Sequence, residues 1–354
     1  MAAPLFTFHS IFQPDVSYDL NADAGGGIGA AYGSNGYDDG CIGFQVYGGS
    51  DRAANLAFDV SSHSLADGWL RFRFIVNHHD ALQPAVIFSG PTADLLRIRN
   101  VNAYAVAPDF RFEYYSGSAW VQIGSDITSI ENTDIDIHWK IDGTTGVFEF
   151  YRGGALVESV SGDTLHTADT TIDTISFYGS EDNPSYSSSY YHLFVDNVDT
   201  RGLYMAVDAA AGAGTYDTFV GGDWTDVNEY PGASQWSNDY IVGNAVGDKF
   251  TCVNTAINAN LESIGTVETV FFGFGGTASA DLAFYAKPLL RIAGTDYNPP
   301  GSIQPLAGIN SGKVPTYLTF YAIEVPLDPA TGAAWANVAA IEAAEFGFQI
   351  SATA

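Results

Sequence analysis

Two-residue alternation of apolar and polar side chains runs through the first two hundred residues, and it constrains the fold more than any other feature. Leu70, Phe72, Phe74 and Val76 share one parity, while Arg71 and Arg73 take the other. Ile135, Ile137, Trp139 and Ile141 alternate in the same way with Asp134, Asp136, His138, Lys140 and Asp142. In an extended chain successive side chains point to opposite faces, so each segment reads as a strand with one face in a core. Further strands are expected at 85–88, 95–101, 110–115, 121–123, 147–152, 156–159, 174–178 and 192–198. Asp142-Gly143-Thr144-Thr145-Gly146 and Gly153-Gly154 supply hairpin turns between them. Many short, closely spaced strands without an amphipathic helix give a sandwich or barrel.

A chain of 354 residues exceeds the usual size of one domain. The small-residue stretch Asp208-Ala209-Ala210-Ala211-Gly212-Ala213-Gly214 reads as a linker, which gives domains at 1–203 and 204–354. In the second domain, 266–274 and 281–292 flank a glycine-rich loop and read as a hairpin. Residues 317–325 alternate again. Asp328-Pro329-Ala330-Thr331-Gly332 supplies cap chemistry for a helix over 333–344, with Trp335, Val338 and Ile341 on one face. Gly347 is expected to stop that helix, and Phe348 and Ile350 to form a closing strand. The expected fold is all-β: two β-sandwich, jelly-roll-like domains, the second with one short α-helix near the C-terminus.

The chain carries 13 basic and 41 acidic residues, a formal net charge of −28. Such a surface repels phosphate backbones and anionic lipid, so neither nucleic acid nor membrane is an expected partner. The excess is spread over both halves, which fits solubility at high ionic strength. Cys41 and Cys252 fall in different expected domains and make neither a disulfide framework nor a zinc site. The first residues show no basic, apolar leader, and no window reaches the ~18 apolar residues of a membrane helix. A soluble protein made in the cytoplasm is expected.

Two stretches resemble known families. The run from His138 to Val157, through the Asp142 turn and Tyr151-Arg152-Gly153-Gly154, resembles concanavalin A-like (laminin G-like) jelly rolls. Phe194-Val195-Asp196-Asn197-Val198 is similar to their closing strand, so the resemblance covers about residues 4–203. From about residue 199 onward, Thr200-Arg201-Gly202-Leu203, Asp223-Trp224-Thr225-Asp226-Val227-Asn228-Glu229, the run Ala286 to Tyr297 and Asp328 to Trp335 resemble a domain recurrent in tailed-bacteriophage virion proteins. The resemblance implies a structural or adhesion protein of a virion, a tail-fibre or tail-tip component contacting a host surface glycan or protein. Its partners would be other virion proteins, with homo-oligomers in the particle. The absence of a heptad repeat favours the alternative of a capsid decoration or head-spike protein.

Jelly rolls of this shape also include glycan-degrading enzymes, which need paired carboxylates on one face. Glu131, Asp134 and Asp136 come nearest, but Glu131 has the opposite parity, and a solvent-facing polar row is the simpler reading. No enzymatic activity and no cofactor are therefore expected, apart from calcium. Asp38-Asp39 and Glu181-Asp182-Asn183 lie in turn-rich loops that can supply oxygen ligands, so Asp38, Asp39 and Asp182 are the candidate metal ligands. His78-His79-Asp80 reads as a solvated turn. Arg71, Arg73, Arg97, Arg99 and Arg111 either form a basic patch that docks an acidic partner or pair internally with Asp134, Asp136 or Glu113. Tyr186, Tyr190 and Tyr191, in a Tyr/Ser-rich loop, are candidate contacts to sugar or protein.

Overall fold

A computed structural model describes residues 6–7, 16–19, 27–32, 42–47, 55–76, 84–101, 109–128, 133–178, 187–203, 210–219, 221–226, 245–254, 264, 267–273, 275–276, 285–299, 304–305, 308–309, 319–325 and 327–351. The chain divides into two compact units. One comprises Pro4–Asn35 and Cys41–Met205; the other comprises Ala206–Ala354 with Met1–Ala3 and Gly36–Gly40.

The first unit is built of β1 (Phe6–Thr7), β2 (Val16–Asp19), β3 (Gly27–Tyr32), β4 (Ile42–Tyr47), β5 (Asn55–Asp59), β6 (Asp67–Val76), β7 (Pro84–Ser89), β8 (Asp94–Asn100), β9 (Phe110–Tyr115), β10 (Trp120–Gln122), β11 (Thr133–Lys140), β12 (Gly146–Arg152), β13 (Ala155–Gly162), β14 (Thr174–Tyr178) and β15 (Ser187–Asp196). An eight-stranded antiparallel sheet runs β13-β12-β11-β6-β15-β4-β3, with β1 also on β15. A seven-stranded one runs β10-β9-β8-β7-β14-β5-β2. Alternation dictates what lies between them. Leu70, Ile137 and Phe150 of the first sheet and Phe58, Leu96 and Phe112 of the second are all fully buried. Rings meet across the gap: Phe72 and Phe177 at 5.6 Å, Phe88 and Trp139 at 5.5 Å, Phe112 and Phe150 at 5.7 Å between centroids. Each such side chain contributes about 1.5–3 kcal/mol by leaving water. At the β12–β13 hairpin Gly153 and Gly154 have φ of 56° and 79°, the two positive values that this two-residue turn demands.

One strand breaks the alternation. In β15 the register with β6 shifts between Tyr191 and Phe194, and His192 adopts φ of 52°. This is a β-bulge, in which one extra residue reverses the facing of all that follows.

The second unit contains β16 (Ala210–Asp217), β17 (Lys249–Asn254), β18 (Val267–Gly273), β19 (Gly275–Gly276), β20 (Tyr285–Ile292), β21 (Thr295–Tyr297), β22 (Gln304–Pro305), β23 (Gly308–Ile309), β24 (Thr319–Val325), α1 (Val338–Glu342) and β25 (Ala344–Ser351). A six-stranded sheet runs β16-β17-β25-β20-β21, with β22 on β20; β18 pairs β24, and β19 pairs β23. Leu290, Val325, Trp335, Ile341, Ala344 and Phe346 form its buried cluster, and the Trp335 indole donates to the Val325 carbonyl at 2.9 Å.

The all-β expectation with one short C-terminal helix holds, but four local expectations are corrected here. Residues 210–214, read as linker, lie in β16; a Cβ on Gly214 would sit 2.4 Å from Thr251 Oγ1, so the small residues there allow close approach of strands. The segments read as one hairpin do not pair: β18 joins β24, with Val267 opposite Val325, and β20 joins β25. The helix is confined to five residues, because Asp328 ties back to the Ala333 carbonyl at 2.8 Å and Asn337, not the Asp328 turn, caps Ala340 N at 3.0 Å. Gly347 stops no helix. It lies inside β25, where a Cβ would come 1.9 Å from the Phe250 carbonyl oxygen.

Candidate functional site

The polar parities of β6, β11 and β12 converge on the outer face of the eight-stranded sheet. Register sets His138 opposite both Trp69 and Glu149, and Asp136 opposite both Arg71 and Tyr151. Beyond the bulge, β15 adds Asp196 beside Trp69.

His138 stacks flat on Trp69, centroids 4.3 Å apart at 9°. Its Nδ1 lies 2.7 Å from Glu149 Oε2 and its Nε2 lies 3.0 Å from Asp67 Oδ1. An imidazole donates to two carboxylates at once only when it carries both ring protons. The Tyr151 hydroxyl donates to the same Glu149 oxygen at 2.9 Å. Burial, reinforced by the Glu149 hydrogen bond and charge, pushes the Tyr151 phenol up to about 12, so it remains a donor at neutral pH. Above these rings lies Arg201, its guanidinium 4.4 Å from the Tyr151 centroid and 5.1 Å from that of Trp69. Arg201 Nε is held 2.9 Å from both Asp199 oxygens; this pairing keeps the Asp199 carboxyl below the usual range. Trp69 and Tyr151 are each 8% exposed beneath it, whereas the Asp67 and Arg201 side chains are 54% and 35% exposed. Aromatic faces, carboxylate acceptors and a covering cation thus share one open-rimmed patch.

Next to it, Arg71 is buried and donates to both Asp136 oxygens at 3.0 and 3.1 Å and to Asp134 at 2.6 Å. Arg73 Nε donates to Asp134 at 2.8 Å. Burial raises the Asp136 carboxyl against the pull of Arg71. It also opposes ionisation of Asp134, but Arg73 and Arg71 outweigh it and lower that group. Asp136 has no exposed surface, so the pair is not the solvent-facing row expected from sequence.

The five arginines do not make one basic patch. Arg71 and Arg73 stand on the outer face of the eight-stranded sheet, Arg97, Arg99 and Arg111 on that of the seven-stranded sheet, since Leu96, Ile98 and Phe112 point into the core between. Internal pairing takes up their charge. Arg97 Nε donates to Glu113 at 2.6 Å and Arg111 Nε to Asp126 at 2.7 Å. Arg99 Nε is 2.9 Å from the same Glu113 oxygen, as an ion pair without an aligned hydrogen bond. Tyr190 and Tyr191 are likewise corrected as contact residues. They are 0% and 4% exposed in β15, and the Tyr190 hydroxyl donates to the carbonyls of Ala85 and Tyr178 at 3.2 and 3.1 Å. Asp38, Asp39, Asp182 and Tyr186 lie outside the described residues, as do Glu131 and His78-His79-Asp80. Among the described residues no group of three or more His, Cys, Asp or Glu is placed to hold a metal ion, and no helix is long and apolar enough to cross a membrane.

Sequence reasoning missed Trp69, His138, Glu149, Tyr151 and Arg201. Part of the signal was present. The Asp142–Gly146 turn alone sets His138 opposite Glu149, and Trp69 shares the parity of Arg71.

No protein family and no curated protein matches the chain. Solved structures similar to it include a conserved carbohydrate esterase from Shiga toxin-encoding bacteriophage phi24B, at 13% identity and TM-score 0.35, covering 51% of this chain and 90% of that one. The CBM2 module of the evolved Dit of Lactobacillus casei BL23 phage J-1 is similar at 15% identity and TM-score 0.32, covering 53% and 92%. An alginate lyase from Alteromonas sp. 272 is similar at 11% identity and TM-score 0.27, covering 48% and 92%. The expectation that the chain has no enzymatic activity is corrected by these findings, because enzymes acting on carbohydrate stand among the similar structures. At such identities and scores the likeness itself assigns no activity.

Proposed function

We propose that the first sandwich binds glycan chains on the outer face of its eight-stranded sheet. The observation that carries this reading is the Trp69–His138–Tyr151 patch with Asp67 and Glu149 at its rim. Flat rings offer apolar faces to the C–H face of a sugar, and carboxylates accept its hydroxyls. The phage-like features of residues 199–354 give the setting: a virion protein, in a tail fibre or tail tip, that attaches to a host surface glycan. A glycan array probed with the protein and with Trp69→Ala tests it. Binding that Trp69→Ala weakens about tenfold or more is the expected result, since aromatic anchors often carry ~1.4 kcal/mol or more. Binding indifferent to Trp69 would overturn the placement. Imaging labelled protein on the particle distinguishes a tail position from a capsid array.

A second reading is favoured by one specific observation. His138, Glu149 and Tyr151 are linked by hydrogen bonds of 2.7 and 2.9 Å, a set able to hold and pass a proton. On this reading the same face also cleaves the glycan it binds. Chain shortening that His138→Ala abolishes supports it; intact chains after prolonged incubation with every glycan that binds count against it.

A further inference from the structure

We propose that the glycan taken by this face is an amino sugar chain, whose ammonium group occupies the place over Trp69 and Tyr151 now held by the Arg201 guanidinium. The inference rests on the glycan-binding reading and adds the chemical class of the ligand.

Three observations carry it. The faces of Trp69 and Tyr151 already host a cation, at 5.1 and 4.4 Å, and ring faces attract cations through their quadrupole. That cation is the protein's own and is held by one acidic neighbour, Asp199, through its side chain. Arg201 lies in a turn outside the sheets, its side chain is 35% exposed, and its ion pair is with Asp199, two residues earlier. It can leave the rings without breaking a strand pairing. The third observation is the balance of charge. Arg71 and Arg73 are taken up by Asp134 and Asp136, and Arg201 by Asp199. Asp67 and Glu149 share one imidazole; with Asp196 beside Trp69 and Lys140 opposite Asp67, the rim sets three carboxylates against Lys140 and His138 and keeps an excess of negative charge.

An ammonium brings three donors to those carboxylates and a positive charge to the rings. A uronate would set its carboxylate against Asp67 and Glu149, on a chain whose net charge of −28 already repels polyanions. A neutral chain brings neither the charge attraction nor the means to displace Arg201, which covers the ring faces it would stack on.

Calorimetric titration of the full chain with glucosamine oligomers, N-acetylglucosamine oligomers of equal length and oligomannuronate tests the proposal. The glucosamine oligomer is expected to bind about tenfold or more tighter than its N-acetylated counterpart, and oligomannuronate to give no binding. Arg201→Ala and Arg201→Gln, both removing the resident cation, should tighten the glucosamine oligomer about two- to fivefold, with folding checked by thermal melting. Asp67→Asn should narrow the preference for the amine. Equal affinity for the two length-matched oligomers, tighter binding of the uronate, or weaker binding in both Arg201 variants overturns the amine assignment and leaves glycan binding standing. If no oligomer binds and a neutral glycan array binds, the amine assignment alone falls; if the array is blank as well, both readings fall.

Discussion

Arg71 shows how a residue that looks available for docking from sequence becomes part of the scaffold. Its guanidinium is the partner that Asp136, without exposed surface, has for its charge at 3.0 Å. Removing one member of such a pair strands the other in a poor solvent, which costs about 3–5 kcal/mol, whereas replacing both by apolar groups of similar size costs far less. Arg71→Ala should therefore lower the unfolding free energy by about that amount in denaturant titrations. Arg71→Met combined with Asp136→Leu should recover most of it, and a double variant as unstable as Arg71→Ala would show that the pair contributes more than mutual compensation. The facing of Arg71 was legible in the sequence, because Leu70 and Phe72 on either side demand the core. Its partner was legible only as one alternative among several, since β6 and β11 are separated by more than fifty residues and no local signal sets their register. Arg201 was not legible at all, because a turn residue has no periodicity to betray what it covers.

Elements follow the same division. Strands such as β9 and β14 could be placed from alternation to the residue, and the β11–β12 register followed from its turn. Pairings between distant strands could not, and the expected hairpin between β18 and β20 failed for that reason. β25 illustrates what decides them. It was expected as a short closing strand, yet it runs between β17 and β20 at the centre of its sheet. Gly347 makes that position possible, since a methyl group would meet the Phe250 carbonyl at 1.9 Å. Overpacking against backbone cannot be relieved by a rotamer change and costs about 1–3 kcal/mol or more. Gly347→Ala should lower the melting temperature of the second unit by about 4 °C or more, read by circular dichroism. An unchanged melt would mean that the two strands can part at no cost.

At the scale of the whole molecule, charge dominates. With 13 basic against 41 acidic residues, the folded chain works against its own repulsion, which added salt screens over a Debye length of about 3 Å at 1 M and about 30 Å at 0.01 M. Melting temperature should therefore rise as sodium chloride increases from 0.01 to 1 M. A fall would show that solvent-exposed ion pairs such as Arg111–Asp126 outweigh the repulsion. The bulge at His192 acts at this scale too. Each residue of β15 past it sits one step out of phase in sequence with those before, so the absorption of one extra residue in the bulge decides which way Asp196 points and where the segment carrying Arg201 emerges. An unbroken strand that kept His192 would turn Phe194 and Asp196 inward and Val195 outward, and carry the covering cation to the wrong side of the sheet, whereas deleting His192 removes the extra residue and leaves both halves facing as they do. Two sandwiches of this fold, one with the bulge and one running straight through the same residues, would present different side chains on the same outer face.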